Sequence, residues 1–265
     1  MAFEPGNAVV VTDEALLATY GRAFRKIGKS VVVVPLGHDV HAGHIELIRA
    51  AKSRLGSYVV VTFTGDEVPD VFAAEKVDVV FHGALDTKVR VDSGVAPLED
   101  PETTQREVAR ILAAVNATHA TDLVLGEKDF EVLVATQYAV SGLRMEVKLH
   151  SVPTVRTPDG LPVSLRNANV PEDKRDAALA LPAALTAGAH AAEHGADKVL
   201  ETVRGVLASE GLEPAYLEIR DLALREAPER GDARLLAAVD LDGVRLIDNV
   251  GLPLGIGFKH IEEDR

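Results

Sequence analysis

The stretch Val31-Val32-Val33-Val34-Pro35-Leu36-Gly37-His38-Asp39-Val40-His41-Ala42-Gly43-His44 decides how this chain folds. Its valine run reads as a buried strand. Ile45, Leu47, Ile48, Ala51 and Leu55 then recur at helical spacing. A strand therefore ends, the chain turns, and a helix begins within the His41-Ala42-Gly43-His44 step. In open α/β sheets that junction is where ligands bind, at the carboxyl edge of the strands. A helix N-terminus there offers free backbone N–H groups and a positive dipole end to phosphate oxygens. His41 and His44 are placed to meet a nucleotide's phosphates, and Gly43 lets a ligand approach the backbone with no Cβ in the way.

Two other readings of the histidines compete with this one. Three histidines spaced three apart could hold a metal. A zinc site on one helix, however, asks for ligands at i and i+4 with a carboxylate nearby, and the chain has no cysteine to complete a soft site. A chance cluster is the second reading. The strand–turn–helix context favours phosphate over both.

Outward from this junction, strands and helices alternate. Ala15–Phe24 reads as a helix, Tyr58–Phe63 and Val77–Phe81 as further β-branched strands. Glu102–Val115 is apolar at a helical period, with Pro101 at its start. Asp122–Gly126 is a fourth strand and Glu146–Val152 a fifth. Buried strands separated by helices of this length predict a mostly parallel, doubly wound α/β sheet. The pattern changes after about residue 160. An alanine-rich helix (Lys174–His194), another (Asp197–Ser209), a strand (Tyr216–Arg220) and a hairpin follow. The hairpin strands Arg234–Asp240 and Val244–Asp248 turn at Asp242-Gly243. We therefore expect two domains: residues 1–160, an α/β ligand-binding domain, and residues 161–265, a smaller α+β domain.

Composition limits the partners. The 265 residues are 47% hydrophobic, enough for a packed core and against general disorder. Lys plus Arg number 28 against 41 acids, a net charge of −13 that repels a phosphate backbone, so no nucleic acid partner is expected. With no cysteine there is neither a disulfide nor a thiol nucleophile. No stretch approaches the roughly 20 apolar residues that span a bilayer, so no membrane association is expected. Met-Ala-Phe-Glu-Pro-Gly lacks the charged and apolar regions of a secretory signal, which makes the cytosol the expected compartment.

Two more constellations stand out. Gly126-Glu127-Lys128-Asp129 follows the fourth strand on the same sheet edge, and can place a cation at a phosphate and a carboxylate at a ribose or metal; taken alone, such a tripeptide is more often an ordinary solvated turn. Ser164-Leu165-Arg166-Asn167 follows the turn at Pro158-Asp159-Gly160. Arg166 there can fork onto anionic oxygen, or make an interdomain salt bridge. Neither the Walker glycine loop nor G-x-G-x-x-G occurs.

Taken together, His41-x-Gly43-His44, Gly126-Glu-Lys-Asp, Val152-Pro-Thr-Val-Arg, Ser164-x-Arg-Asn, Tyr216-Leu-Glu-Ile-Arg-Asp and Leu246-Ile-Asp-Asn resemble the pantothenate synthetase (pantoate–β-alanine ligase) family in order and relative spacing, from roughly Asp13 to Asp248. The resemblance implies a Rossmann-like, doubly wound nucleotidyltransferase domain, a small C-terminal α+β domain acting as a lid, and a homodimer. It implies ATP with Mg2+, carboxylic acid and amine substrates, an acyl-adenylate intermediate, and release of pyrophosphate and AMP. By match, Gly37, His38, His41, Gly43 and His44 would contact ATP, with His44 at the position of the family's acid catalyst. Gly126, Glu127, Lys128 and Asp129 would hold nucleotide and phosphates. Val155, Val163, Ser164, Leu165 and Arg166 would close over ATP. His44, His41, Lys128 and Arg166 form the catalytic set.

Departures from the family concentrate on the acid. Its methionine before the histidines falls on Gly37, and its Asn-Pro-x-Gln-Phe loop is replaced by Thr62-Phe-Thr-Gly-Asp-Glu. Its Arg-Pro-Gly-His-Phe stretch becomes Glu99-Asp-Pro-Glu-Thr, and a pantoate-binding glutamine falls on Val132. The acid pocket is thus assigned to Val132, Thr64 and Asp66, with His38 or Asp66 as replacement ligands. Lost polar pairing weakens discrimination for a hydroxy acid. The alternatives are therefore a paralogue with another carboxylic acid, or a non-catalytic nucleotide-binding protein. A cytidylyltransferase or a class I aminoacyl-tRNA synthetase also carries His-x-Gly-His. The acidic charge and the lack of a Lys-Met-Ser-Lys-Ser loop argue against the synthetases, and Gly-Glu-Lys-Asp with Ser-x-Arg-Asn argues against the transferases.

Overall fold

The valine runs become the centre of a parallel sheet. A computed structural model describes residues 3–256; the first two residues of the N-terminal reading and the last nine of the expected second domain lie outside the described residues. Two compact units divide the chain: residues up to Glu127 with Glu131–Val155, and Lys128–Phe130 with Arg156 onward. Each is a layered fold with its own core.

The first unit contains β1 (Val9–Val11), α1 (Glu14–Lys26), β2 (Ser30–Pro35), α2 (Ala42–Lys52), β3 (Ser57–Phe63), α3 (Val71–Ala74), β4 (Val79–His82), α4 (Pro101–Ala117) and β5 (Asp122–Gly126). Then come α5 (Phe130–Gly142), which opens on a residue of the second unit, and β6 (Lys148–Val152). The six strands pair in parallel in the order β1-β4-β3-β2-β5-β6. Val31 to Val34 are each fully buried, as a strand covered on both faces requires. Each such valine contributes roughly 1.5–3 kcal/mol by leaving water. From β2 the chain proceeds outward to β3 and β4, then returns to lay β5 on the other side of β2. The carboxyl ends of β2 and β5 therefore flank the topological switch point, the crevice where such sheets bind ligands.

Local signals start the helices. Asp13 caps α1 by accepting from the Leu16 N–H at 2.7 Å, and Asp100 caps α4 from Thr103 at 2.9 Å with Pro101 in the first position. At Gly21 of α1 a Cβ would stand 2.0 Å from the Thr118 carbonyl oxygen, so only glycine allows this approach.

The amino edge of the sheet is locked by two buried carboxylates. Asp78, 1% exposed, accepts from the N–H groups of Gly6 (2.9 Å) and Val59 (2.7 Å) and from Lys52 Nζ (3.0 Å). Asp122 accepts from His150 Nε2 at 2.7 Å and Thr121 Oγ1 at 2.8 Å, with Arg54 at 3.2 Å.

In the second unit, α6 (Arg175–Ala178), α7 (Ala180–His190) and α8 (Ala196–Ser209) accompany an antiparallel sheet of β7 (Pro214–Arg220), β8 (Gly231–Leu241) and β9 (Val244–Leu254). Leu181, Leu185, Val199 and Val203 share a core with Leu235, Ala237 and Val239. The hairpin turns at Asp242 (φ 48°) and Gly243 (φ 87°), both left-handed as a two-residue primed turn demands. One expected helix is corrected. The segment Lys174–His194 is not continuous but breaks at Leu179, into α6 and α7, and again after His190. In an unbroken helix Pro182 would lie in the interior, with no N–H and a clash one turn back. Restarting at Ala180 places it in a first turn, where the missing donor costs nothing.

Candidate active site

The β2–α2 junction carries the histidine motif. Pro35 ends β2, and α2 begins at Ala42 with His41 as its extended N-cap residue (φ −134°, ψ 174°). His41 makes no side-chain cap to the helix, and a helix N-terminus carries a positive dipole end that favours an anion. The rings of His41 and His44 stack, centroids 3.7 Å apart and 16° from parallel. A metal bound at about 2 Å lies in the plane of each imidazole that holds it. Planes this far apart do not converge on one ion, so the pair is suited to presenting two parallel rings to a polyanion. Among the described residues no group of three or more His, Asp or Glu comes together as a metal site.

The loop after β3 packs against this junction. Thr64 N–H donates to the Gly37 carbonyl at 3.0 Å, and a Cβ on Gly65 would lie 2.2 Å from the His38 carbonyl oxygen. Only glycine fits there. His82, the last residue of β4, donates from Nε2 to the Gly65 carbonyl at 2.7 Å. Arg110 of α4, paired with Glu107 at 2.6 Å, reaches the Leu36 carbonyl at 3.1 Å. The ends of β2, β3 and β4, with α4, thus set the shape of one loop cluster. Gly37, His38, Thr64 and the residues beside them are brought together; Thr64, Asp66, His38 and Asp39 are exposed. His82 and Arg110 belong to none of the sequence motifs, and Gly65, within Thr62-Phe-Thr-Gly-Asp-Glu, carries no assigned role there. His82 gives the same signal as His38, a polar residue at the end of an apolar run, and Arg110 gives none.

Gly126 ends β5 on the same edge, close to Leu47 of α2, where an added Cβ would stand 3.7 Å from Leu47 Cδ2. Glu127 accepts from Ser151 Oγ at 3.0 Å. Val132 is half-buried in the first turn of α5. Val155 closes the first unit.

In the second unit Lys128 and Asp129 belong to a short 3-10 turn, Lys128 Nζ lying 3.6 Å from an Asp129 carboxylate oxygen. Lys128 shares one small depression with Ser164, Arg166, Asn167 and Leu246. Ser164 caps the 3-10 turn Leu165–Asn169 by accepting from the Arg166 N–H at 3.2 Å, while Asn167 is tied to the Pro162 carbonyl at 2.8 Å. Val163 directly precedes this cap. The Arg166 side chain is exposed. The structure therefore groups Lys128 with Ser164 and Arg166, from two motifs well separated in the chain.

Behind Lys128 stands a polar network. Asn249 Nδ2 donates to the Lys128 carbonyl at 2.9 Å, and Arg234 Nε donates to Asn249 Oδ1 at 2.6 Å. The Arg234 guanidinium lies 4.3 Å over the Phe130 ring. Asp248 takes both arms of Arg156, at 2.7 and 2.8 Å. Burial pushes the Asp248 carboxyl above its ordinary value, against the pull of Arg156, the Asn249 N–H and Lys128.

Residues 68–251 match the family model described as pantoate-beta-alanine ligase. The pantothenate synthetase of Corynebacterium jeikeium is 38% identical, covering 99% of this chain and 96% of its own length. That of Saccharopolyspora erythraea is also 38% identical, over 96% of this chain and 94% of its own. Among solved structures, pantothenate synthetase from Thermus thermophilus superposes with a TM-score of 0.79 at 22% identity, covering 91% of this chain and 98% of that one. The pantoate-beta-alanine ligase from Francisella tularensis, complexed with beta-gamma ATP and beta-alanine, gives 0.72 at 20% identity, over 92% of this chain and 97% of that one. These two share the fold.

Proposed function

Because the chain belongs to the pantoate–β-alanine ligase family, we infer that it condenses pantoate with β-alanine to pantothenate, using ATP and releasing AMP and pyrophosphate. The observation that carries the reading is the stacked His41–His44 pair at the start of α2, at the carboxyl end of a strand flanking the switch point. Identity sustained over nearly the whole chain favours pantoate over another acid and favours an active enzyme over a nucleotide-binding paralogue.

The chemistry has two steps. A pantoate carboxylate oxygen attacks the α-phosphorus of ATP, and the bond to pyrophosphate breaks. The β-alanine amine then attacks the carbonyl of the adenylate, loses a proton, and AMP leaves. Negative charge builds on the phosphorus centre and on the leaving pyrophosphate in the first step. His41, His44 and the α2 N-terminus suit that charge as donors, and Lys128 and Arg166 add cations. No covalent nucleophile is required; positioning and charge stabilisation are the protein's contribution.

Magnesium commonly arrives on the phosphates and asks the protein for one or two carboxylates rather than a cage. Asp129, exposed beside Lys128, is the carboxylate that fits that demand. The metal would neutralise phosphate charge. Val132, Thr64 and Asp66, with His38, form the acid pocket in this reading. A homodimer and a cytosolic location complete it; no described helix is long and apolar enough to cross a membrane.

The test is pyrophosphate release from ATP and Mg2+ with pantoate and β-alanine together, then with a panel of small carboxylic acids. Release with pantoate and pantothenate as product establishes the activity. Release only with another acid reassigns the substrate. Silence across the panel with ATP binding intact would overturn the reading in favour of a non-catalytic paralogue.

A further inference from the structure

We propose that Asn249 is a positioning residue for Lys128: its side-chain amide, held in one orientation by Arg234, clamps the Lys128 carbonyl and so fixes where the Lys128 ammonium meets the nucleotide. The proposal rests on the reading of Lys128 as an ATP contact.

The orientation of the amide follows from its partners. Arg234 Nε can only donate, so the atom of Asn249 facing it at 2.6 Å must be the oxygen. The amide nitrogen is thereby turned toward the Lys128 carbonyl, an acceptor only, at 2.9 Å. Both contacts agree on a single amide flip. Asn249 is 4% exposed, so water does not compete for either bond.

The backbone of Asn249 is equally constrained. Its N–H donates to Asp248 Oδ1 at 2.7 Å, and its carbonyl accepts from Arg156 at 3.3 Å. Asp248 and Arg156 are themselves a bidentate pair. In β9, Asn249 pairs with Leu236 of β8. The clamp is therefore mounted on a sheet strand and held by two arginines, whereas its target is a three-residue 3-10 turn with little structure of its own. Arg234 ties the clamp to the residue that follows the turn, bonding Asn249 and covering Phe130. Asn249 reaches Lys128 across 121 residues of sequence. A lysine that binds phosphate as a flexible point charge gains from a fixed Cα.

A double-substitution cycle on the full chain tests this. The dissociation constant for ATP with Mg2+, in the absence of any acid substrate, is measured by calorimetry for wild type, Asn249→Asp, Lys128→Ala and the double variant, each with its thermal unfolding midpoint. Asn249→Asp keeps the volume and an acceptor for Arg234 but presents an oxygen to the Lys128 carbonyl. Asn249→Ala is the second variant should the first fail to fold. We expect Asn249→Asp to weaken ATP binding about tenfold, and to cause no further weakening once Lys128 is alanine. A merely structural asparagine would cost the same in both backgrounds, and that result overturns the proposal while leaving Lys128 as an ATP contact. Unchanged affinity in Asn249→Asp overturns it likewise. Unchanged affinity in Lys128→Ala overturns the reading of Lys128 and the positioning role together.

Discussion

The two edges of the six-stranded sheet use polar residues in opposite ways. At the amino edge, Asp78 and Asp122 are 1% and 5% exposed, and the chain supplies their partners itself. At the carboxyl edge, the side chains of His38 and Asp39 are 73% and 63% exposed, and Thr64 and Asp66 are open to solvent. Strand ends must put polar groups somewhere, because backbone ladders stop there. Where those groups are consumed internally they stabilise the sheet. Where they stay exposed, as His38 and Asp39 do although they lie 3.4 Å apart, a ligand can reach them. Damage at one edge should therefore appear as lost stability, and at the other as lost turnover.

The largest expected effect is at the carboxyl edge. His44→Ala should reduce pantoate-dependent ATP–pyrophosphate exchange by about 100- to 1000-fold, corresponding to one transition-state donor. Its unfolding midpoint should stay close to wild type, since the His44 ring stacks on His41 rather than in the core. Near-normal exchange would remove His44 from the mechanism. A large drop in midpoint would blur the division between the edges.

Asp78→Ala should do the reverse. It strands the buried N–H of Val59 and the half-buried N–H of Gly6, and we expect about 2–3 kcal/mol lost in urea unfolding. Lys52 is spared the worst, because its side chain is 29% exposed and can turn to water. The folded fraction should exchange pyrophosphate at the normal rate. A variant with full stability would show that the Asp78 network is incidental.

Asp122 gives the pH signature of that edge. Burial pushes its carboxyl up, but the His150 and Thr121 hydrogen bonds and the Arg54 charge outweigh this and hold it below the ordinary 3.8. A depressed folded value means the stabilisation is fully present above 3.8 and fades as pH falls through the folded value. The stability gap between wild type and Asp122→Asn, measured by urea unfolding, should therefore be constant near neutrality and shrink on acidification. A gap that widens in acid would reverse the assigned direction.

How far the sequence reveals all this depends on how local each cause is. The valine run, Pro101 and the Asp242-Gly243 turn act within a few residues, and the elements they predict are those the structure shows. β1 escapes such a reading because three valines beside an N-terminal loop carry no period of their own. α5 escapes it because the helix is apolar nearly all round, which erases the amphipathic stripe. Asp78 sits in Val77-Asp78-Val79 and reads as an ordinary polar residue at a strand start; only tertiary contacts to Gly6 and Lys52 explain it. Similarly, Gly126-Glu-Lys-Asp is legible as a motif. Its last two residues group with the C-terminal unit, where Asn249 bonds the Lys128 carbonyl, and no local pattern connects the two.

The smallest expected effect is a gain. Val132 stands where the family's pattern has a pantoate-binding glutamine, half-buried in the first turn of α5. Replacing it with glutamine restores an amide that can pair with a hydroxy acid, and one neutral hydrogen bond is worth about 1 kcal/mol. Val132→Gln should therefore lower the KM for pantoate about fivefold at saturating ATP and β-alanine. It should leave KM for ATP unchanged, since the histidine pair and Lys128 are untouched. A rise in pantoate KM would mean that the apolar side chain is already part of a pocket rebuilt around other ligands, and would move the assignment of acid recognition to Thr64, Asp66 and His38. Either result bears on the edge comparison in the same way: a side chain at the carboxyl edge is tuned against substrate, so its replacement is read in a Michaelis constant before it is read in a melting curve.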